Sequence, residues 1–101
     1  MTHEELVTMM QHTPLPERMG NFERTHSPQQ PKELAAGLLF VEYSHLLEDV
    51  QFQVVMQEKM ALFQLVQGGA TIPMQQLTLE EAGHVLRSDL MMILEDLEDE
   101  L

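Results

Sequence analysis

Residues 32–67 read KELAAGLLFVEYSHLLEDVQFQVVMQEKMALFQLVQ, and the reading of this stretch decides the fold. It holds no proline and one glycine, Gly37, and lies between Pro31 and the pair Gly68-Gly69. Proline suits the first turn of a helix, where the N–H it lacks would have no intrahelical partner. A glycine pair suits a helix end, because glycine enters the left-handed conformation at little cost. Phe40, Tyr43, Leu47, Val50, Val54 and Ala61 follow a heptad-like stripe interrupted at Gln57. The spacing predicts one continuous helix over 32–67, about 54 Å long at 1.5 Å per residue. Val41, Phe52, Val55, Met56, Leu62 and Phe63 lie off that stripe. A helix apolar on more than one side is buried on more than one side, and so short a chain has few helices of its own to cover it.

Beyond the glycine pair, Thr78-Leu79-Glu80-Glu81 has the form of a capping box, with Pro73 in the preceding loop. Leu79, Gly83, Leu86, Leu90, Ile93 and Leu97 recur four and three apart, which predicts an amphipathic helix over 79–98. Gly83 within that seam would let another helix approach closely, at roughly 1 kcal/mol in helix propensity. Glu95, Asp96, Glu98, Asp99 and Glu100 oppose the helix macrodipole, so this end is expected to fray. On the N-terminal side, Thr2 and Glu5 form a second capping box for a short helix with Leu6, Met9 and Met10 on one side. Pro14 and Pro16 end it. Residues 13–31 carry five breakers, Pro14, Pro16, Gly20, Pro28 and Pro31, and three isolated apolar anchors, Leu15, Met19 and Phe22. No strand alternation of useful length is identified.

The expected fold is therefore all-α: a helical hairpin of the 32–67 and 79–98 helices, turning between Gly68 and Gln76 and assembling into an oligomeric bundle. Residues 1–30 form a short helix and a Pro-rich arm, and 31–101 the hairpin domain.

The chain has 101 residues, with 17 Asp and Glu against 5 Lys and Arg, a formal net charge of −12. Such a field repels nucleic-acid phosphates and anionic membranes and favours a basic protein partner or a cation. With no cysteine, disulfides and thiolate chemistry are excluded. The first residues lack the basic start and apolar run of a secretory signal, and no stretch reaches the ~18 apolar residues of a membrane span. A cytoplasmic location is the expectation.

Two features could carry function. Glu42-Tyr43-Ser44-His45 and Glu81-Ala82-Gly83-His84 repeat a Glu-x-x-His spacing. On a helix this puts a carboxylate and an imidazole on one face. Ferritin-like bundles build di-metal sites from such pairs. Glu42, His45, Glu81 and His84 would then hold iron, manganese or zinc in a dimer, with Glu4, Glu5, Glu48 or Asp49 as further ligands. The other feature is an apolar, methionine-containing area of Phe52, Val55, Met56, Met60, Leu62 and Phe63 among carboxylates. It suits a basic or amphipathic helix of another protein. Ser27, Ser44 and Ser88 lack a nucleophile-elbow context, and His3, His12 and His26 read as surface histidines. The first expectation is thus a small, acidic, non-catalytic interaction module (adaptor, regulator or chaperone-like) without a cofactor. The di-metal protein is the alternative, and a mimic of nucleic acid a third.

Overall fold

The segment Val50-Gln51-Phe52-Gln53-Val54-Val55-Met56 alternates between buried and half-buried residues along its whole length. That is the period of an extended strand, in which successive side chains point to opposite faces. The structure, a computed structural model, describes residues 1–12, 15–27 and 39–101. Its centre is an antiparallel sheet of six strands in chain order: β1 (Arg18–Met19), β2 (Phe22–His26), β3 (Leu39–His45), β4 (Val50–Met56), β5 (Met60–Gln67) and β6 (Ala70–Thr78). Three helices accompany it: α1 (His3–Gln11), α2 (Leu79–Ser88) and α3 (Leu90–Glu100).

The all-α expectation is thereby overturned. Most of the long helix expected over 32–67 is instead β3, β4 and β5; residues 32–38 lie outside the described residues. A segment buried on one face as a strand places its apolar residues at every second position. Read at a helical period, those positions scatter around the whole circumference, which mimics a helix needing cover on two sides. The glycine pair has a different office too. Gln67 pairs with Ala70, and Gly68 and Gly69 between them have φ of 58° and 82°. Positive φ at both central residues is what the type I′ turn requires, and its twist matches that of the flanking strands. The pair closes a hairpin where a helix end was expected. Pro73 stands within β6, opposite Gln64, where an edge strand tolerates the missing N–H. The helix expected over 79–98 is two helices broken at Asp89 (φ −118°, ψ −3°).

Both capping boxes form as expected: the Thr2 and Thr78 hydroxyls accept from the backbone N–H of Glu5 and Glu81, and each glutamate reaches back to its cap residue. One face of the sheet supplies Phe22, Tyr43, Phe52, Val54, Met56 and Phe63 to the core. The helices close it with Leu6, Val7, Met10, Leu79, Ala82, Leu86, Leu90, Leu94 and Leu97. Phe52 and Phe63 meet edge to face, 5.8 Å between centroids. Gly83 lets α1 lie against α2: a Cβ there would collide with Met9 Cε and stand 3.0 Å from Leu6 Cδ1. The register slips between Leu39 and Val41, and Phe40 and Val41 are both buried. Leu15 and Phe22 are buried in this same core, and Met19 packs against it.

Candidate interaction surface

Among the described residues, the sheet has one covered face, one open face and two unlike edges. At one edge, β1 is only two residues long and α3 packs against it. At the other, β6 runs for nine residues with β5 on one side and, among the described residues, no strand on its outer side. Eight of those nine are exposed, among them Ile72 and Met74 at 45% and 43%. An edge strand presents a row of N–H and C=O groups that no neighbour satisfies, and proteins usually blunt such edges with charge, proline or a bulge. Here no charged residue occurs between Lys59 and Glu80. Pro73 and a register shift opposite Phe63 and Gln64 are the guards present. Proline offers no N–H to an added strand, so the outer ladder has a gap at that point.

The open face is more self-contained. A hydrogen-bonded ladder crosses four strands: Thr25 Oγ1 donates to Glu42 Oε1 (2.6 Å), Gln53 Nε2 to Glu42 Oε2 (2.7 Å), and Gln64 Nε2 to Gln53 Oε1 (2.7 Å). Such cross-strand pairs stabilise the sheet itself. Val55 and Leu62, partners across β4 and β5, are half-buried beside it.

The four residues of the Glu-x-x-His pairs are not brought together. Three residues apart in a strand means opposite faces: Glu42 belongs to the open-face ladder, whereas His45 is buried on the core side. Glu81 is engaged in the Thr78 capping box, and His84 is exposed on α2. Among the described residues, no group of three or more His, Asp or Glu is arranged to hold a metal ion. Of the six residues expected to meet a partner, Phe52, Met56 and Phe63 are buried under the chain's own helices, while Val55, Met60 and Leu62 are half-buried.

His45 instead forms a cluster that the sequence does not announce. Its Nδ1 accepts from the backbone N–H of Leu47 (3.2 Å) and Glu48 (3.0 Å). A nitrogen that accepts carries no proton, so in the neutral ring Nε2 is the donor, to Glu98 Oε2 at 2.5 Å. Asn21 Nδ2 donates to the other Glu98 oxygen (2.6 Å), and the Phe22 ring meets the imidazole edge-on at 5.0 Å. These contacts fasten the last turn of α3 to the β1–β2 and β3–β4 turns. The partners are 53 and 77 residues apart in sequence, so no local motif could have signalled them. His3, expected on the surface, is half-buried with Nε2 2.6 Å from the Gln57 carbonyl oxygen.

Carboxylates stand at both ends of β6. At its start, Gly68 N–H donates to the Asp49 carbonyl (3.1 Å), so the acidic turn Glu48-Asp49, exposed together with Leu46 and Leu47, abuts the β5–β6 hairpin. At its finish an open cleft of about 950 Å³ is lined by Met1, Glu4, Glu58, Lys59, Thr78 and Glu80, among others. There the carboxylates meet opposing charge: Lys59, the N-terminal amine 3.7 Å from Glu80, and the positive macrodipole ends of α1 and α2.

Tyr43 lies wholly inside, its hydroxyl donating to the Pro16 carbonyl. Burial pushes its phenol up to about 12, against a smaller opposing pull from the Arg24 guanidinium. No described helix is long and apolar enough to cross a membrane. Comparison of the chain with protein-family models, with curated proteins and with solved structures finds no match.

Proposed function

We propose that this chain is a small acidic protein-interaction module, adaptor-like or chaperone-like, that takes an extended segment of a partner protein along β6. One observation carries the reading: a nine-residue edge strand, eight residues exposed, free of charge in a chain of net charge −12 and bearing Ile72 and Met74 outward. Strand addition at such an edge draws affinity from main-chain hydrogen bonds and specificity from alternate side chains. The helical or amphipathic partner first expected suited a helical groove; a sheet edge suits an extended one. The three buried members of the expected contact area now serve the core, and the role passes to residues that area did not include.

Selection from a random peptide display library, followed by amide NMR of the labelled protein with the selected peptides, tests the reading. Shifts and slowed amide exchange concentrated on Ala70–Thr78 are expected. Peptides that bind elsewhere, or a library that yields none, overturn it.

A further inference from the structure

We infer that His45 is an acid-operated latch: when its imidazole gains a second proton, the β3–β4 turn is released while α3 stays fastened. The inference stands on the His45 cluster and does not depend on the β6 reading. The His45 side chain is only 4% exposed, and the protein engages both of its ring nitrogens. Nδ1 is the point of conflict. It accepts from the N–H groups of Leu47 and Glu48 only while it holds no proton itself. Nε2 already carries a proton toward Glu98, so the second proton has to enter at Nδ1. The imidazolium then turns an N–H toward two further N–H groups, where its bare nitrogen stood 3.2 and 3.0 Å from their nitrogens. All three are donors, and none can accept. At Nε2 nothing is lost: the same N–H, now on a charged ring, still points at the Glu98 carboxylate.

The surroundings decide which side yields. From α3, the Glu98 carboxylate faces the ring, and Asn21 Nδ2 holds its other oxygen (2.6 Å). From β2 comes the uncharged Phe22 ring. The β1–β2 side carries one cation, Arg18, whose Nε donates to the Gly20 carbonyl (3.0 Å). The β3–β4 turn adds the carboxylates of Glu48 and Asp49, and no Lys or Arg. All four residues of that turn, Leu46 to Asp49, are exposed, so water can take the two N–H groups that the charged ring turns away. The turn is also tied at points that do not involve the ring. Leu46 N–H donates to the Asn21 carbonyl (2.8 Å), and Gly68 N–H to the Asp49 carbonyl (3.1 Å). Release is therefore confined to Leu47 and Glu48, and the strands on either side keep their pairing.

The test is an NMR titration of the intact labelled protein downward from about pH 8, through the range in which histidine changes charge. Imidazole nitrogen shifts report the charge of His45. Amide exchange, corrected for its intrinsic dependence on pH, reports protection at each N–H. Leu47 and Glu48 are expected to lose protection several-fold in step with the ring. The last turn of α3 and the paired amides of β3 and β4 should keep theirs. His45→Gln puts a side chain of similar reach that does not titrate at this position, and should make protection of Leu47 and Glu48 independent of pH. His3→Gln, at the other histidine held by a distant carbonyl, should leave the effect intact. Should His45→Gln fail to fold, the wild-type titration decides alone. Protection at Leu47 and Glu48 that survives protonation of the ring overturns the inference. Release that begins at α3, a loss that persists in His45→Gln, or a ring that stays neutral until the whole protein unfolds overturns it equally.

Discussion

Val54 and Val55 are neighbours in β4 with the same side chain, and the sheet gives them opposite fates. Val54 is 0% exposed in the core, whereas Val55 is half-buried on the open face opposite Leu62. Truncation to alanine removes the same two carbons at each. At Val54 the lost transfer free energy, about 0.8 kcal/mol per carbon, is joined by the cost of a cavity among close-packed neighbours, about 2–3 kcal/mol together. At Val55 solvent fills the space, and the cost is about 1 kcal/mol or less. Against a total stability of about 5–15 kcal/mol, both variants remain folded, so both can be measured. Urea unfolding followed by circular dichroism should show the Val54→Ala midpoint well below that of Val55→Ala, with similar slopes. Extending the series, Phe52→Ala should cost about 3–5 kcal/mol and Gln53→Ala about 1 kcal/mol, so destabilisation alternates with period two. Equal losses at Val54 and Val55, or losses recurring every three to four residues, would refute the strand and restore the helix.

The chain has one tyrosine and no tryptophan, so phenolate absorbance reports Tyr43 alone. With the folded-state value raised from 10.0 to about 12, the native protein should hold this proton through pH 11, and stability should fall as pH rises from about 10 to 12, because the unfolded chain ionises first. A native-state titration centred near 10 would contradict the burial of Tyr43. Gly69, at φ 82°, should not accept valine: Gly69→Val is expected to cost about 1–2 kcal/mol or more by thermal unfolding, while Gly68→Asn, at φ 58°, should be close to neutral. NMR of the imidazole nitrogens should find neutral His45 protonated at Nε2, and Glu98→Ala should speed amide exchange in the last turn of α3, at a cost of about 1–3 kcal/mol. A ring protonated at Nδ1, or exchange unchanged by the substitution, would count against the cluster.

Features whose causes lie within four residues were legible without the fold. Thr2 with Glu5 and Thr78 with Glu81 are complete helix starts, because a capping box needs nothing beyond its own turn. Gly83 was readable as a site of close approach, though not that α1 makes it. The charge of −12 follows from composition and is the same under any fold. The 32–67 stretch was misread because apolar residues at every second position also populate a heptad-like stripe, and leave others to either side of it. Val-Gln-Phe-Gln-Val at 50–54 held the strand signal, and Gly68-Gly69 the hairpin signal. Both are outweighed when the absence of proline is taken as evidence of helix. Only the tertiary structure decided which valine is core and which is surface, since that depends on which sheet face the helices cover. It alone joined His45 to Glu98 and Asn21 across half the chain or more, and separated Glu42 from His45 onto opposite faces. It alone left β6 at an edge among the described residues, because whether a strand has one neighbour or two is a property of sheet order, and no residue in the strand encodes it.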